Sequence, residues 1–396
     1  MARLTARGLL GVIAVCLTAC AAPAPAQSPV AAKPAPGKPA AVPAKTEAPP
    51  AAKTAPPPEP VRAAPTRPPE QLWPFTKLQG ADFVSVADIA RRYGLKPAWE
   101  KTDFVRTLSD VHGVRFKFEA KQRDCYLDGV RVFLGSPVLL HKDELWVSKI
   151  DVIKMIAPLL RPEDHVVQLP APPKLILLDA GHGGADPGKQ NFKLKLNEKD
   201  MTIDVVLRLK KLLEQRGYAV KLTRSEDVKL AADQRSDLER RASLANELKA
   251  DLFLSVHFNA VEPRDAPRVM GSETYVMTPQ FQFSSTDNTG DSLTDKAFPN
   301  NRQDIANAVL GFHLHRSLLR NLKTSDRGFK RGRLRVLCFP ECPAALLEAA
   351  YLSNDTEAAR VGTPEFRQRI AEAIADGVQD YSALLATIHP PPPPAK

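Results

Sequence analysis

Two histidines and two glutamates stand where short apolar runs of the sequence end or where a predicted helix begins. They are His182, Glu198, His257 and Glu348. Two imidazoles, one carboxylate and an open fourth position form the ligand set of a catalytic zinc site. A second carboxylate can take a proton from water and pass it to a departing amine. These residue types therefore indicate hydrolysis of an amide bond with help from a metal ion.

The elements around these residues predict that they meet. Three of them follow the apolar runs 175–178, 252–256 and 345–347, and Glu198 lies at the head of a predicted helix. In open α/β sheets, ligands bind beyond the carboxyl ends of the strands. We therefore expect the four side chains to share one crevice.

Strand and helix patterns alternate through the second half of the chain. Helices are predicted at 199–216, 231–249, 303–322 and 364–386. Short, wholly apolar strands between such helices are typical of a mostly parallel sheet. The predicted fold class is α/β, with a mostly parallel sheet flanked by helices on both faces. The polar stretch 279–302 lacks helical periodicity and is predicted to be a mobile loop.

Ordered sequence blocks around the four residues carry a family resemblance. The blocks include LLDAGHGGADPG (177–188), NEKD (197–200), DLFLSVHFNA (251–260), GSETYVM (271–277) and LLEAAYLSN (346–354). In this order they resemble the zinc-dependent N-acetylmuramoyl-L-alanine amidases of bacterial cell walls. The resemblance implies one Zn²⁺ held by His182, Glu198 and His257, with Glu348 as catalytic base and acid. The implied substrate is peptidoglycan, cut between the lactyl group of muramic acid and L-alanine of the stem peptide.

Some residues near these blocks have open roles. Arg224 and Arg241 are candidates for holding a substrate carboxylate or for structural ion pairs. Asn259 and Glu273 are candidates for supporting the site or the local structure. Glu341 is the alternative base, although the prolines around it favour Glu348.

The chain departs from the family pattern near Glu348. The residues Ala349, Ala350 and Tyr351 stand where the family usually has Leu-Gly-Phe, and a thiol, Cys342, lies shortly before the glutamate. We expect these changes to reshape the pocket wall or to affect metal handling. Cys338 and Cys342 are predicted to be structural, with a disulfide or a metal pair as the alternative. In some members of the family a helix in this insertion covers the site. We do not expect that control here, because the corresponding stretch, 279–302, is polar.

Composition divides the chain further. Sixteen of its 37 prolines fall in 21–70, which predicts an unfolded tether over 20–72. Residues 73–170 are predicted to form a small α+β positioning or binding domain, similar to the copper amine oxidase N-terminal-like domains of cell-wall proteins. The zinc amidase domain is predicted over 174–386, and a disordered proline-rich tail over 387–396.

The N-terminus is typical of an exported lipoprotein. Arg3 and Arg7 precede a short apolar run, and residues 17–20 resemble a lipobox. We expect 1–19 to be a signal peptide and Cys20 to carry a lipid that anchors the chain, at the periplasmic side of the outer membrane. The alternative is an ordinary signal peptide cut near Ala22 or Ala26.

The net charge of +10 is spread without a dense basic stripe, so we predict no nucleic-acid partner. The sequence assigns no activating protein. Two other functions stay open: a zinc peptidase acting on another bond of the stem, and a catalytically silent wall-binding module.

Overall fold

The computed structural model describes residues 73–100, 104–285 and 294–390. The predicted signal peptide 1–19, Cys20 and the tether 20–72 lie outside the described residues, as do residues 391–396 of the predicted tail. Their roles stay predictions. Within the part of the chain that is described, no helix combines the length and the apolar content that crossing a bilayer requires.

The segment 73–170 is built mainly from strands. They are β1 (Thr76–Leu78), β2 (Ala81–Ser85), β3 (Lys96–Trp99), β4 (Val105–Asp110), β5 (Gly113–Glu119), β6 (Asp124–Leu127), β7 (Val130–Phe133), β8 (Leu139–His141) and β9 (Glu144–Ser148). Its helices are α1 (Val86–Tyr93), α2 (Lys149–Asp151) and α3 (Ala157–Leu160), with a π-helical turn, Val152–Ile156, between the last two. A hairpin joins β6 and β7, and its turn residues Asp128 and Gly129 both have positive φ.

The segment 174–390 alternates strands and helices. The strands are β10 (Leu175–Ala180), β11 (Gln190–Asn191), β12 (Leu196–Asn197), β13 (Ala219–Leu222), β14 (Leu252–Asn259), β15 (Ser272–Val276), β16 (Asp326–Arg331) and β17 (Ala344–Tyr351). The helices are α4 (Glu198–Gln215), α5 (Gln234–Glu247), α6 (Asp304–Leu322), α7 (Arg335–Cys338), α8 (Asp355–Val361) and α9 (Pro364–Ile388). The four predicted long helices are confirmed, although α9 continues to Ile388, inside the predicted tail.

Local signals explain where these helices begin. The Thr363 side chain accepts a hydrogen bond from the Phe366 amide, and Pro364 follows at the first helical position of α9. Asp233 caps α5 in the same way through the Ser236 amide. Such caps satisfy amides that have no partner within the helix, and they mark where α5 and α9 begin.

The sheet confirms the predicted fold class. In the second segment the strand order is β13-β10-β14-β17-β15-β16, and only the β17–β15 pair is antiparallel. Neighbouring residues of β10 divide between two hydrophobic cores: Ile176 and Leu178 pack with α4, α6 and α9, whereas Leu177 packs with α5 and α7. Because successive strand residues point to opposite faces, both faces of the sheet are covered.

The two segments share one sheet. β7 pairs in parallel with β16 at Val132 and Phe329, which extends the described sheet to 11 strands. The Arg331 guanidinium forms a buried ion pair with Asp151, and the Arg131 amide donates to Asp326 Oδ2 at 2.8 Å. Residues 73–390 therefore form one compact unit. The division into two domains stays a prediction.

The described parts of 279–302 are packed, which differs from the expected mobile loop. Gln282 and Ser284 are buried, and Arg333 donates to the carbonyls of Pro279 and Gln282 at 3.1 and 2.9 Å. A 3₁₀ turn, Pro299–Gln303, leads into α6. Gln282 Oε1 also accepts a hydrogen bond from Arg331 at 2.7 Å, so a polar side chain of this segment is the partner of a buried arginine.

Candidate functional site

The loop after β10 presents the first histidine. His182 has a φ of 62°, in the left-handed region, so its side chain leaves the direction of the strand. The preceding Gly181 lies against the ring of His257, where an added Cβ would be 2.3 Å from the ring. The glycine-rich sequence therefore lets two imidazoles approach closely.

Glu198 is the first residue of α4, and its carboxylate is fixed by backbone amides. The Phe258 amide donates to Oε1 at 3.0 Å, and the Lys189 amide donates to Oε2 at 2.8 Å. Gly188 has a φ of 64°, and a side chain there would collide with both Glu198 and His182. The two amides therefore hold the buried carboxylate in one position.

Donor atoms from the three predicted ligands converge at one point. His182 Nε2 and His257 Nδ1 each lie 3.0 Å from Glu198 Oε1. One donor atom from each residue lies within 4.8 Å of the others, so together they could hold a metal ion. The rings are 4.9 Å apart and nearly perpendicular, so their nitrogen lone pairs approach from different directions.

Asp186 completes this arrangement, and the sequence analysis missed it. Its Oδ2 lies 3.0 Å from His182 Nδ1 and its Oδ1 accepts the Gly188 amide at 3.0 Å. A carboxylate on the outer nitrogen fixes the histidine tautomer and turns the other nitrogen to the centre. The available signal was the aspartate four residues after His182 in the same loop.

The charges around His182 favour a positive group at the centre. Burial lowers the pKa of this imidazole, but the Glu198 and Asp186 carboxylates outweigh that effect and raise it to about 10. The hydrogen bond with His182 lowers the pKa of Asp186 to about 2. Burial opposes ionisation of Glu198, yet the two histidines hold its pKa well below the usual range.

Glu348 lies beside the candidate ligands. It stands opposite His257 in the β14–β17 pairing, and only 2% of it is exposed. Its Oε2 is buried and has no hydrogen-bond partner within the described part of the chain. Burial, and then the negative charges of Glu198 and Glu273, raise its pKa well above the ordinary value. A carboxyl group in this setting is suited to accept and return a proton.

A buried network lies behind Glu348. Glu273, opposite it on β15, is fully buried and pairs with Lys330 Nζ at 2.8 Å. Asn259 Nδ2 and Tyr275 Oη donate to Glu273 Oε2 at 3.1 and 2.7 Å.

The departure from the family pattern at Tyr351 is part of this network. The Tyr351 hydroxyl donates to Glu273 Oε1, an interaction that phenylalanine cannot make. This tyrosine is 1% exposed and does not line the cavity. The change therefore supports the buried carboxylate behind Glu348.

The two candidate arginines brace the backbone around the site. Arg224 donates to the carbonyls of Ala180 and Gly181, each at 3.0 Å. Arg241 donates to the His182 carbonyl at 2.7 Å and to Asp179 Oδ1 at 2.8 Å. Both are nearly fully buried, and these hydrogen bonds give them a structural role. A contact of either one with substrate stays a prediction.

A cavity of about 350 Å³ joins the candidate ligands and Glu348. Its lining also includes residues of the segment 188–192 and residues of α5 and the start of α7, among them Leu238, Leu334 and Val336. A substrate bound at the four polar residues therefore has two further groups of residues to contact.

Other sequence candidates lie elsewhere. Glu341 is exposed and does not line this cavity. Cys338 and Cys342 are buried thiols of two separate hydrophobic clusters. His315 contacts Asp326 and Thr274, which gives it a structural role outside the cavity.

Comparisons with known proteins agree on one family. The family model described as N-acetylmuramoyl-L-alanine amidase matches residues 176–380, just over half of the chain. A germination-specific N-acetylmuramoyl-L-alanine amidase of Bacillus subtilis is 29% identical over 222 residues, which cover 54% of this chain and 81% of that protein. An uncharacterised cell wall amidase of Bacillus anthracis is 29% identical over 209 residues, 52% of this chain but 35% of its own length.

Among solved structures, the catalytic domain of the amidase CwlV from Bacillus (Paenibacillus) polymyxa var. colistinus is 30% identical. The match covers 52% of this chain and 97% of that domain, with a TM-score of 0.42. The family match over 176–380 includes all four polar residues of the candidate site. The chain belongs to the N-acetylmuramoyl-L-alanine amidase family.

Proposed function

We propose that this chain is a zinc-dependent hydrolase that cleaves the amide between N-acetylmuramic acid and L-alanine of peptidoglycan. The observation that carries the proposal is the convergence of His182, Glu198 and His257 beside Glu348 in one cavity. Family membership supports the substrate class, and the four side chains supply the chemistry that an amide requires.

The residues present fit a zinc ion. Zinc binds histidine nitrogen and carboxylate oxygen at about 2.0–2.2 Å, so its ligand atoms must lie within roughly 4 Å of each other. The contacts of 3.0 Å between each histidine and Glu198 meet this requirement for two of the three pairs, and all three donor atoms lie within 4.8 Å of one another. The carboxylate of Asp186 on His182 is the outer support that metal-binding histidines use.

When bound, zinc supplies a Lewis acid that activates water near neutral pH and polarises the amide carbonyl. Glu348 Oε2 takes the proton of the attacking water, a role supported by its burial and by the lack of a hydrogen-bond partner among the described residues. The same oxygen then returns the proton to the amide nitrogen, which leaves as an amine. Burial, and then the negative charges of Glu198 and of Glu273 opposite it on β15, raise the pKa of Glu348 and so favour its proton-bearing state between the two transfers.

Export and anchoring belong to this proposal as well. We propose that the chain works in the periplasm, held to the outer membrane by a lipid on Cys20. Support comes only from the sequence around residues 17–20 and from the wall polymer as substrate. Lipid analysis of the mature chain tests it, since Cys20→Ala should abolish membrane association and leave hydrolysis intact.

Digestion of purified peptidoglycan by the full chain tests the reaction. We expect whole stem peptides that begin with free L-alanine, intact glycan, loss of products with chelator and recovery with added zinc. Peptides cut within the stem would show a peptidase instead. Binding to the polymer without any product in the presence of zinc would show a wall-binding module. Either result would overturn the proposal.

A further inference from the structure

Phe192 is a large apolar side chain displayed at the rim of the cavity. It follows β11 at the start of the turn that leads to β12, and it is 82% exposed. It lines the same cavity as His182, Glu198 and His257. An aromatic ring left in water beside a polar site adds no packing energy to the fold. A contact with the substrate would account for its exposure.

The turn holds Phe192 in place. Asn191, next to it, is buried, and its Nδ2 donates to the Leu352 carbonyl at 3.1 Å and to Asp355 Oδ1 at 3.0 Å. The Leu194 amide donates to Asn191 Oδ1 at 3.0 Å. Asn191 thus ties the turn to the residue that follows β17 and to the start of α8. The ring is exposed because the hairpin presents it outward.

Two groups of lining residues suit different parts of the substrate. Near α5 and α7 the lining includes the buried apolar side chains of Leu334 and Val336, which suit a stem peptide. On the hairpin, Phe192 is largely exposed. A glycan strand continues in both directions from the cleavage point, so it needs an exposed surface such as the one around Phe192.

The chemistry of the rim also fits a sugar. In the proposed reaction the scissile amide is joined to a pyranose ring through only the short lactyl group, so a sugar must lie close to the site. One face of a pyranose presents C–H groups, which pack well on the face of an aromatic ring. The hairpin segment 189–197 contains lysines but no acidic residue, so it does not repel a polymer that carries stem carboxylates.

We propose that Phe192 is a positioning residue on which a pyranose ring of the glycan strand stacks, while the stem peptide lies along the lining residues near α5 and α7. This inference rests on the proposed amidase function and names the part of the substrate that each group of lining residues holds. The ring orients the lactyl amide toward Glu348 and takes no part in proton transfer.

Two soluble substrates with the same amide test the proposal. One is an N-acetylmuramoyl-L-alanyl peptide, and the other is the D-lactoyl-L-alanyl peptide without the sugar. For Phe192→Ala we expect kcat/KM on the sugar-bearing substrate to fall by about threefold to tenfold, mainly through KM. The sugar-free substrate should change by less than about twofold, and Phe192→Tyr should retain the wild-type preference for the sugar.

Phe281→Ala is the matched control, because Phe281 is also a well-exposed phenylalanine but does not line the cavity. It should behave as wild type on both substrates. Equal losses of Phe192→Ala on both substrates, or no loss on either, would overturn the stacking assignment. If the wild-type chain cleaves neither substrate at this amide, the proposed function fails instead, and the two failures are thereby separated.

Discussion

Three of the four polar side chains have surroundings that leave them one task. Glu198 is fixed by two amides, His182 by Asp186, and Glu348 is buried beside Glu273. Glu348 differs from the others because one of its buried oxygens has no protein partner within the described residues. An unsatisfied buried oxygen costs stability, so the site retains it at the expense of the fold. That cost is consistent with a role in proton transfer.

Glu348→Gln should keep the metal and lose turnover. The amide is nearly isosteric but cannot accept a proton, so we expect kcat to fall by roughly 10²-fold to 10⁴-fold with unchanged zinc content by metal analysis. Glu341→Gln is the matched control because Glu341 is an exposed glutamate outside the cavity. Full activity of Glu348→Gln would remove Glu348 from the mechanism.

Asp186→Asn tests the support of His182. An asparagine at this position no longer offers a negative charge to Nδ1, so zinc affinity should fall by about 10-fold to 100-fold. Activity measured against free zinc concentration should show the loss and recover at high zinc. A variant with wild-type affinity would contradict the orienting role of Asp186.

At the scale of elements, the sequence was informative where a local pattern decides the structure. The helix start at Pro364 and the hairpin at Asp128 and Gly129 follow from caps and turn residues. The roles of Asp186, Lys330 and Tyr351 depend on contacts made only after folding, and spacing along the chain carries little signal of them. The same limit explains 279–302, whose polar residues meet arginines far away in the sequence.

The N-terminus of α6 contains a carboxyl group that should make stability depend on pH. Burial raises the pKa of Asp304 to about 6, although Asn301 and Lys154 act against this shift. Since the pKa of the folded state is raised, the contribution to stability is fully present below about pH 4 and is lost as pH rises through 6.

Asp304→Asn should remove this dependence. The variant's free energy of unfolding minus that of wild type should become more positive by roughly 3 kcal/mol from pH 4 to pH 7, because each unit of pKa shift corresponds to about 1.4 kcal/mol. Chemical denaturation at both pH values measures it. A difference between variant and wild type that does not change with pH would contradict the burial effect.

At the scale of the whole molecule, the described residues form one folded unit. The strands of 73–170 continue the sheet of residues 174–390 through the β7–β16 pair. The Asp151 carboxylate accepts the Gly135 amide at 2.9 Å and pairs with Arg331, and both charged side chains are almost completely buried. The sequence indicated two domains because a proline-rich stretch, 170–173, separates the two segments. The pairing of β7 with β16 joins residues far apart in the sequence, and no local pattern predicts it.

Arg331→Met should destabilise the entire described unit. It leaves the Asp151 charge buried without its partner, which costs about 3–5 kcal/mol. We expect a single unfolding transition at lower denaturant concentration, and partial recovery when Asp151→Asn is added. A variant in which 73–170 unfolds separately while 174–390 keeps its stability would contradict this coupling.

X-ray absorption at the zinc edge of the metal-loaded full chain tests the central claim most directly. We expect one ion per chain with only nitrogen and oxygen neighbours, and imidazole scattering that weakens in His182→Ala and in His257→Ala. Sulfur among the neighbours would place the ion at Cys338 and Cys342. That result, or spectra unchanged by both histidine variants, would contradict the proposed metal centre.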